Sequence, residues 1–199
     1  MTRLILFDVG RVLIDFDFGI AVKKLRGLFE LDTSKIQALF KNPSLTGRWD
    51  KGLISPEEFF KAVQDEMDFP IGMEGFASIW NGIFTEKKEV ISLARSLTKD
   101  YKVVLLSNTN PWHAGYLRKN FSWIKDFHDF IASCDVQLLK PDPEIFRLSL
   151  AKAQVEPRHT FYVDDLLENV EVAKKLGMDA LIFQDALHLK REIQSRVNF

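Results

Sequence analysis

Four places in the sequence carry side chains that could do chemistry together. Asp8 follows one short apolar run, Ser107 and Asn108 follow a second, and Asp164 and Asp165 follow a third. Lys140 stands in a loop just ahead of a helical stretch that opens on Pro143. Three carboxylates brought near one point repel one another unless a cation, a proton or a basic group intervenes. No His or Cys stands at ligand spacing, and hard oxygen donors favour Mg²⁺ over zinc or copper. Lys140 would add a positive charge without coordinating. A divalent cation, a lysine, a hydroxyl and an amide together suit a phosphate group, whose oxygens need several cationic and hydrogen-bonding partners.

The elements that must position these residues can be read from the apolar pattern. Leu4–Phe7, Val103–Leu106, Phe130–Ala132, Thr160–Val163 and Ala180–Phe183 are short, rich in β-branched and aromatic residues, and do not alternate. Strands buried on both faces read this way. Helical periodicity fills the intervals at 87–99, 142–154 (with Pro143 in the first turn) and 167–176, where Gly177 is a stop signal. Alternation of this kind predicts an α/β fold, a Rossmann-like parallel sheet with helices on both faces. In such sheets ligands bind beyond the carboxyl ends of the strands, where the polar residues above would converge.

One stretch breaks the rhythm. Between about residues 16 and 85 no buried strand is evident, while 20–30, 34–40 and 55–67 read as helix, the last opening on a Ser55…Glu58 capping box with Pro56 at the first helical position. The expected organisation is therefore an α/β core of residues 1–15 and 86–199, interrupted by an inserted helical cap subdomain of residues 16–85. The insertion holds nine of the chain's 17 Phe (16, 18, 29, 40, 59, 60, 69, 76 and 84), together with Trp49 and Trp80. Aromatics of this kind fill the interior of a small helical bundle, or line an apolar face over a site.

Composition removes several classes of function. The 27 basic and 28 acidic residues leave a net charge of −1, so no basic excess is available for nucleic acid. A single cysteine, Cys134, excludes an internal disulfide framework and a cysteine-rich zinc site. No apolar run is long enough to span a membrane and no signal-peptide pattern stands at Met1, so a cytoplasmic protein without membrane partners is expected. Oligomeric state is not legible.

Four segments resemble the motifs of the haloacid dehalogenase superfamily, in its phosphatase branch with a helical cap. They are Phe-Asp8-Val-Gly10-Arg-Val-Leu, Leu-Leu-Ser107-Asn108-Thr-Asn, Lys140-Pro-Asp-Pro and Val-Asp164-Asp165-Leu-Leu-Glu-Asn169, in the family's order and over nearly the whole chain. The resemblance implies a phosphatase acting on a small phosphate ester. Asp8 would be the nucleophile, forming an aspartyl-phosphate. Mg²⁺ would be held by Asp8, the Gly10 carbonyl, Asp165 and Asp164. Ser107, the Asn108 backbone and Lys140 would stabilise the phosphoryl oxygens. The Ser-Asn-Thr-Asn segment and Trp49-Asp-Lys-Gly52 are similar to a subgroup that includes a bacterial phosphatase of glucose 1-phosphate.

The pattern departs at one position. Most phosphatases of the family carry a second Asp two residues after the nucleophile, as general acid and base. Here that residue is Gly10, and general acid help is typically worth about 10²–10⁴ in rate. A substrate with a better leaving group, a replacement acid, or a weak or inactive binding protein would each account for it. A metal-independent dehalogenase is a further alternative, against which the Asp164–Asp165 pair argues. His113, five residues past Asn108, is the candidate stand-in acid and substrate contact, and Arg11 could meet phosphate or point to solvent. Asp15 and Asp17 read as hinge or capping residues, Asn169 as orienting Lys140, and Glu168, His159 and His188 as surface residues.

Overall fold

The computed structural model describes residues 1–30, 32, 34, 35, 42–67 and 70–196. The elements run β1 (Leu4–Phe7), β2 (Ile14–Phe16), α1 (Phe18–Arg26), α2 (Pro43–Asp50), α3 (Pro56–Met67), α4 (Met73–Asn81), β3 (Phe84–Glu86) and α5 (Lys88–Leu97). They continue with β4 (Lys102–Ser107), α6 (Pro111–Asn120), β5 (Asp129–Ala132), the single turn α7 (Ser133–Val136) and α8 (Pro143–Ala153). The chain ends with β6 (Thr160–Asp164), α9 (Leu167–Lys175), β7 (Asp179–Ile182) and α10 (Ala186–Arg196).

Five strands form one parallel sheet in the order β5-β4-β1-β6-β7. Phe7 is in register with both Leu105 and Val163. Asp8 therefore emerges between the ends of β4 and β6, level with Ser107 and Asp164 to within a residue. Both faces of the sheet are covered. Ile5, Phe7, Val103, Leu105, Phe161 and Val163 pack with Val90 and Ala94 of α5 and Leu189 of α10. Leu4, Leu6, Val104, Leu106 and Tyr162 pack on the other face with Phe146 of α8 and Val170 of α9. Burial on both faces is why these strands carry no polar alternation.

A third apolar cluster lies within the segment between β2 and β3. Trp49, Phe59, Phe76 and Trp80 are each at most 3% exposed, and Trp49 stacks on Phe59 at 4.5 Å. Trp112, at the start of α6, meets both rings edge-on and ties this cluster to the sheet layer. The capping box forms: the Ser55 N–H donates to the Glu58 carboxylate at 2.7 Å, and the Glu58 N–H donates to Ser55 Oγ at 3.1 Å. The helix expected over 34–40 falls largely on residues 36–40, and Phe40 and Phe69 too lie outside the described residues. No buried strand lies among the described residues of 16–85, but two short, partly exposed strands edge the stretch: β2 and β3 pair antiparallel, Ile14 with Glu86 and Phe16 with Phe84. At three residues each, joined across the whole insertion, they leave no periodic trace. No helix among the described residues is long and apolar enough to cross a membrane.

Candidate functional site

Asp8 is delivered by β1, where its N–H donates to the Val163 carbonyl at 2.8 Å. The chain then turns sharply, with the Leu13 and Ile14 N–H groups both donating to the Val9 carbonyl. Arg11 takes up a positive φ of 60° in this turn. A Cβ at Gly10 would stand 3.2 Å from Cε1 of Phe16, a tight contact that the ring would relieve only by moving a few tenths of an ångström.

Lys140 is held by a residue distant in sequence. The Asn108 side-chain amide donates to the Lys140 carbonyl and accepts from its N–H, both at 2.8 Å. This leaves the Asn108 backbone N–H, not its side chain, for a ligand. The lysine ammonium then donates to Asp8 Oδ1 at 2.5 Å, Asp164 Oδ2 at 2.7 Å and the Leu106 carbonyl at 3.1 Å. All three of its protons are engaged, as a buried ammonium requires.

The two carboxylates differ in their company. Asp164 is fully buried and accepts from Lys140, from the Tyr162 hydroxyl, from the Leu166 N–H at 2.8 Å and from Asn169. Burial alone would raise its pKa, but Lys140 and these donors outweigh it and hold the group below the usual carboxylate range. Asp8 shares only the lysine. Burial dominates there, opposed by Lys140 and reinforced by the Asp164 charge, and pushes its carboxyl up to about 7. Burial, then Asp164, also raises Asp165. The expectation that Asn169 orients Lys140 is not met: its amide donates to both oxygens of Asp164, at 3.0 and 3.1 Å.

Carboxylate oxygens of Asp8, Asp164 and Asp165 lie within 4.8 Å of one another. Three acids against one ammonium leave a local negative excess, and every donor is a hard oxygen. The set therefore fits a divalent cation of the Mg²⁺ or Ca²⁺ kind better than a soft metal.

The cavity has two lobes that share Gly10, Phe16 and Asn108. The acidic lobe is walled by Asp8, Arg11, Lys140, Asp164 and Asp165. The other is aromatic, lined by Phe16, Phe18, Phe84 and His113, with Ser107, Asn110 and Asp50 among its polar groups. The aromatic residues of the insertion thus divide, Phe59 and Phe76 filling an interior and Phe16, Phe18 and Phe84 facing the cavity. Arg11 lies over the Phe16 ring at 4.2 Å and 3.7 Å from Asp15, with its side chain half exposed. It rims the acidic lobe and reaches solvent.

His113 sits against Phe84 edge-on at 4.9 Å and parallel to Trp80 at 6.2 Å. Asn110 caps α6 by accepting the His113 N–H at 3.0 Å. With that oxygen so engaged, the Asn110 amide nitrogen faces Nδ1 at 3.0 Å and donates to it. Burial lowers the imidazole to about 4, so the ring is neutral at physiological pH. Asp15 forms an ion pair with Lys87 at 3.3 Å, Asp17 caps α1 through the Gly19 N–H, and Glu168 is exposed. His159 and His188 line neither lobe.

Residues 2–177 match the family model of the haloacid dehalogenase-like hydrolases. The chain is a haloacid dehalogenase-like hydrolase. Over the full length of both proteins it is 28% identical to a D-ribitol-5-phosphate phosphatase of Bacteroides thetaiotaomicron. It is 26% identical to a sesquiterpene phosphatase of Aspergillus oryzae, covering 96% of this chain and 95% of that one. A crystal structure of a haloacid dehalogenase family enzyme from Bacteroides thetaiotaomicron, in complex with magnesium and inorganic phosphate, superposes with a TM-score of 0.85 at 28% identity, covering 95% of this chain and 99% of that one.

Sequence reasoning on this hydrolase missed three groups of its site: Tyr162, Asn110 and Asp50. Tyr162 reads as one more aromatic in a buried strand, and only the close approach of its hydroxyl to Asp164 marks it. Asp50 lies beside Gly52, whose positive φ of 65° signals a tight turn at that point.

Proposed function

We propose that this hydrolase is a Mg²⁺-dependent phosphatase that cleaves a small phosphomonoester, a sugar phosphate among the candidates, through an aspartyl-phosphate on Asp8. The observation that carries the reading is Lys140 joined to both Asp8 and Asp164 at the ends of the adjacent strands β1 and β6, with Asp165 beside them. The phosphatase names of full-length relatives support it. So does a neighbouring structure holding magnesium and phosphate. On this reading residues 1–15 and 86–199 form the catalytic core, and 16–85 the cap whose aromatics select the leaving group. The lone free thiol accords with action in the cytoplasm.

Asp8, the Gly10 carbonyl, Asp165 and Asp164 would hold Mg²⁺, which when bound draws charge from the phosphoryl oxygens. A carboxylate oxygen of Asp8 attacks phosphorus in line, and the ester oxygen departs. Lys140 neutralises the nucleophile and the phosphoryl group together. The Ser107 hydroxyl and the Asn108 N–H donate to its equatorial oxygens, and Arg11 attracts the dianion at the rim. His113 stands beside the leaving group as a neutral ring in the aromatic wall. Water then releases phosphate from Asp8.

The test is turnover of p-nitrophenyl phosphate and a panel of sugar 1- and 6-phosphates with Mg²⁺, before and after EDTA. Turnover that needs the metal and vanishes in Asp8→Asn is expected. No turnover of any ester by metal-loaded protein would refute the reading, and EDTA-resistant activity would favour a metal-independent reaction.

A further inference from the structure

We propose that Asp50, carried by the inserted helical segment, is the general acid and base that the Gly10 position does not supply. The inference rests on the phosphatase reading above.

The nucleophile loop brings no acid at position 10, where a Cβ would press on the edge of the Phe16 ring at 3.2 Å, the ring on which Arg11 lies. A proton donor must therefore come from the other wall. Asp8 and Lys140 line the acidic lobe, Ser107 lines the aromatic lobe and Asn108 is shared, so the phosphoryl group sits where the lobes meet, and the ester oxygen, in line with and opposite the attacking Asp8 oxygen, leaves toward the aromatic lobe. Among the described residues, Asp50 is the one carboxylic acid lining that lobe, which it shares with Ser107, Asn108 and Gly10.

Its position is fixed. The Asp50 carbonyl accepts from Ser133 Oγ at 2.6 Å, and the same hydroxyl accepts the Thr109 N–H at 2.8 Å. One buried serine thus fastens the end of α2 to the phosphate-binding loop. The chain turns away at Gly52, where a Cβ would stand only 2.3 Å from the Cys134 carbonyl oxygen. The Asp50 carboxylate is bonded by the Asn110 side chain, the residue that also fixes His113. Burial, against that bond, pushes Asp50 up to about 6, so part of it holds a transferable proton near neutrality. His113, the other titratable group among the described residues of the lobe, is already deprotonated there.

The chemistry balances. As the Asp8 oxygen bonds to phosphorus and the phosphorus–ester oxygen bond breaks, the Asp50 carboxyl gives its proton to that oxygen, releasing an alcohol. The Asp50 carboxylate then takes a proton from water, whose oxygen bonds to phosphorus as the Asp8–phosphorus bond breaks. Phosphate leaves and Asp50 is protonated again.

Asp50→Asn keeps the shape and removes the proton. With a sugar phosphate, turnover should fall about 10²–10⁴-fold. With p-nitrophenyl phosphate, whose leaving group needs no acid, a stoichiometric burst of p-nitrophenol should precede a slow steady state. Intact-mass spectrometry should then find phosphorylated protein, absent after Asp8→Asn. A carboxylate that only fastened the loop would give no burst and no trapped phosphoenzyme. Asp50→Glu should recover part of the sugar-phosphate rate. Equal losses on both substrates without phosphoenzyme, or unchanged turnover, would overturn the proposal while leaving the phosphatase reading intact. A wild-type protein inert to every ester would remove both.

Discussion

Replacing Lys140 by Met tests the electrostatics of the site apart from catalysis. The ammonium is buried, as are the carboxylates it bonds at 2.5 and 2.7 Å, with side chains 2%, 9% and 0% exposed for Lys140, Asp8 and Asp164. Methionine preserves much of the stem's packing and removes three hydrogen bonds, leaving two carboxylates facing each other out of water. Breaking a buried pair from one side costs about 3–5 kcal/mol. The cost should depend on pH in a definite direction. Without the lysine, both folded-state pKa values rise above the unfolded value. The folded protein then binds protons that the unfolded chain has released, and stability falls as pH rises toward the new pKa values, by up to about 1.4 kcal/mol per pH unit and proton. Urea unfolding followed by tryptophan fluorescence, without metal, should therefore show a larger penalty at about pH 8 than at about pH 5. Mg²⁺ should recover part of it, because the cation supplies the missing charge to the folded state alone. A loss below about 1 kcal/mol at the higher pH, or one equal at both, would refute the account.

Two further outcomes follow from particular contacts. Gly52→Ala forces a β-carbon into a positive φ and against the Cys134 carbonyl, and should cost about 2 kcal/mol, seen as a Tm lowered by several degrees; an unchanged Tm would show that the turn can relax. Asp8, pushed up to about 7 without metal, must shed its proton to coordinate, so calorimetric Mg²⁺ affinity should weaken by up to tenfold per pH unit below about 7 and level off above it, whereas affinity constant down to about pH 5.5 would contradict this.

Much of the site was legible because buried strands announce their own ends. An apolar run covered on both faces stops where the first polar side chain leaves the sheet, so Asp8, Ser107 and Asp164 could be placed from sequence, with Lys140 in a loop beside them. The Ser55–Glu58 capping box and the Asp17 helix cap were equally readable, since their partners lie within three residues. Division of labour among the polar residues was not. Asn108 was expected to serve through its backbone, and its side chain turns out to clamp Lys140, 32 positions away. Asn169, read as a partner of Lys140, bonds Asp164 instead.

Sequence by itself determined the fold class, the order of the strand-end residues and the absence of an acid at position 10, because burial and local hydrogen bonding impose short-range patterns on residue type. Tertiary structure alone decided which carboxylate is held charged and which takes up a proton. That depends on how many donors converge on Asp164 and how few on Asp8. It also decided that a residue of the insertion faces the aromatic lobe. Asp50 meets Ser133 across 83 positions of chain, and a contact over that distance leaves no periodicity for a sequence to display.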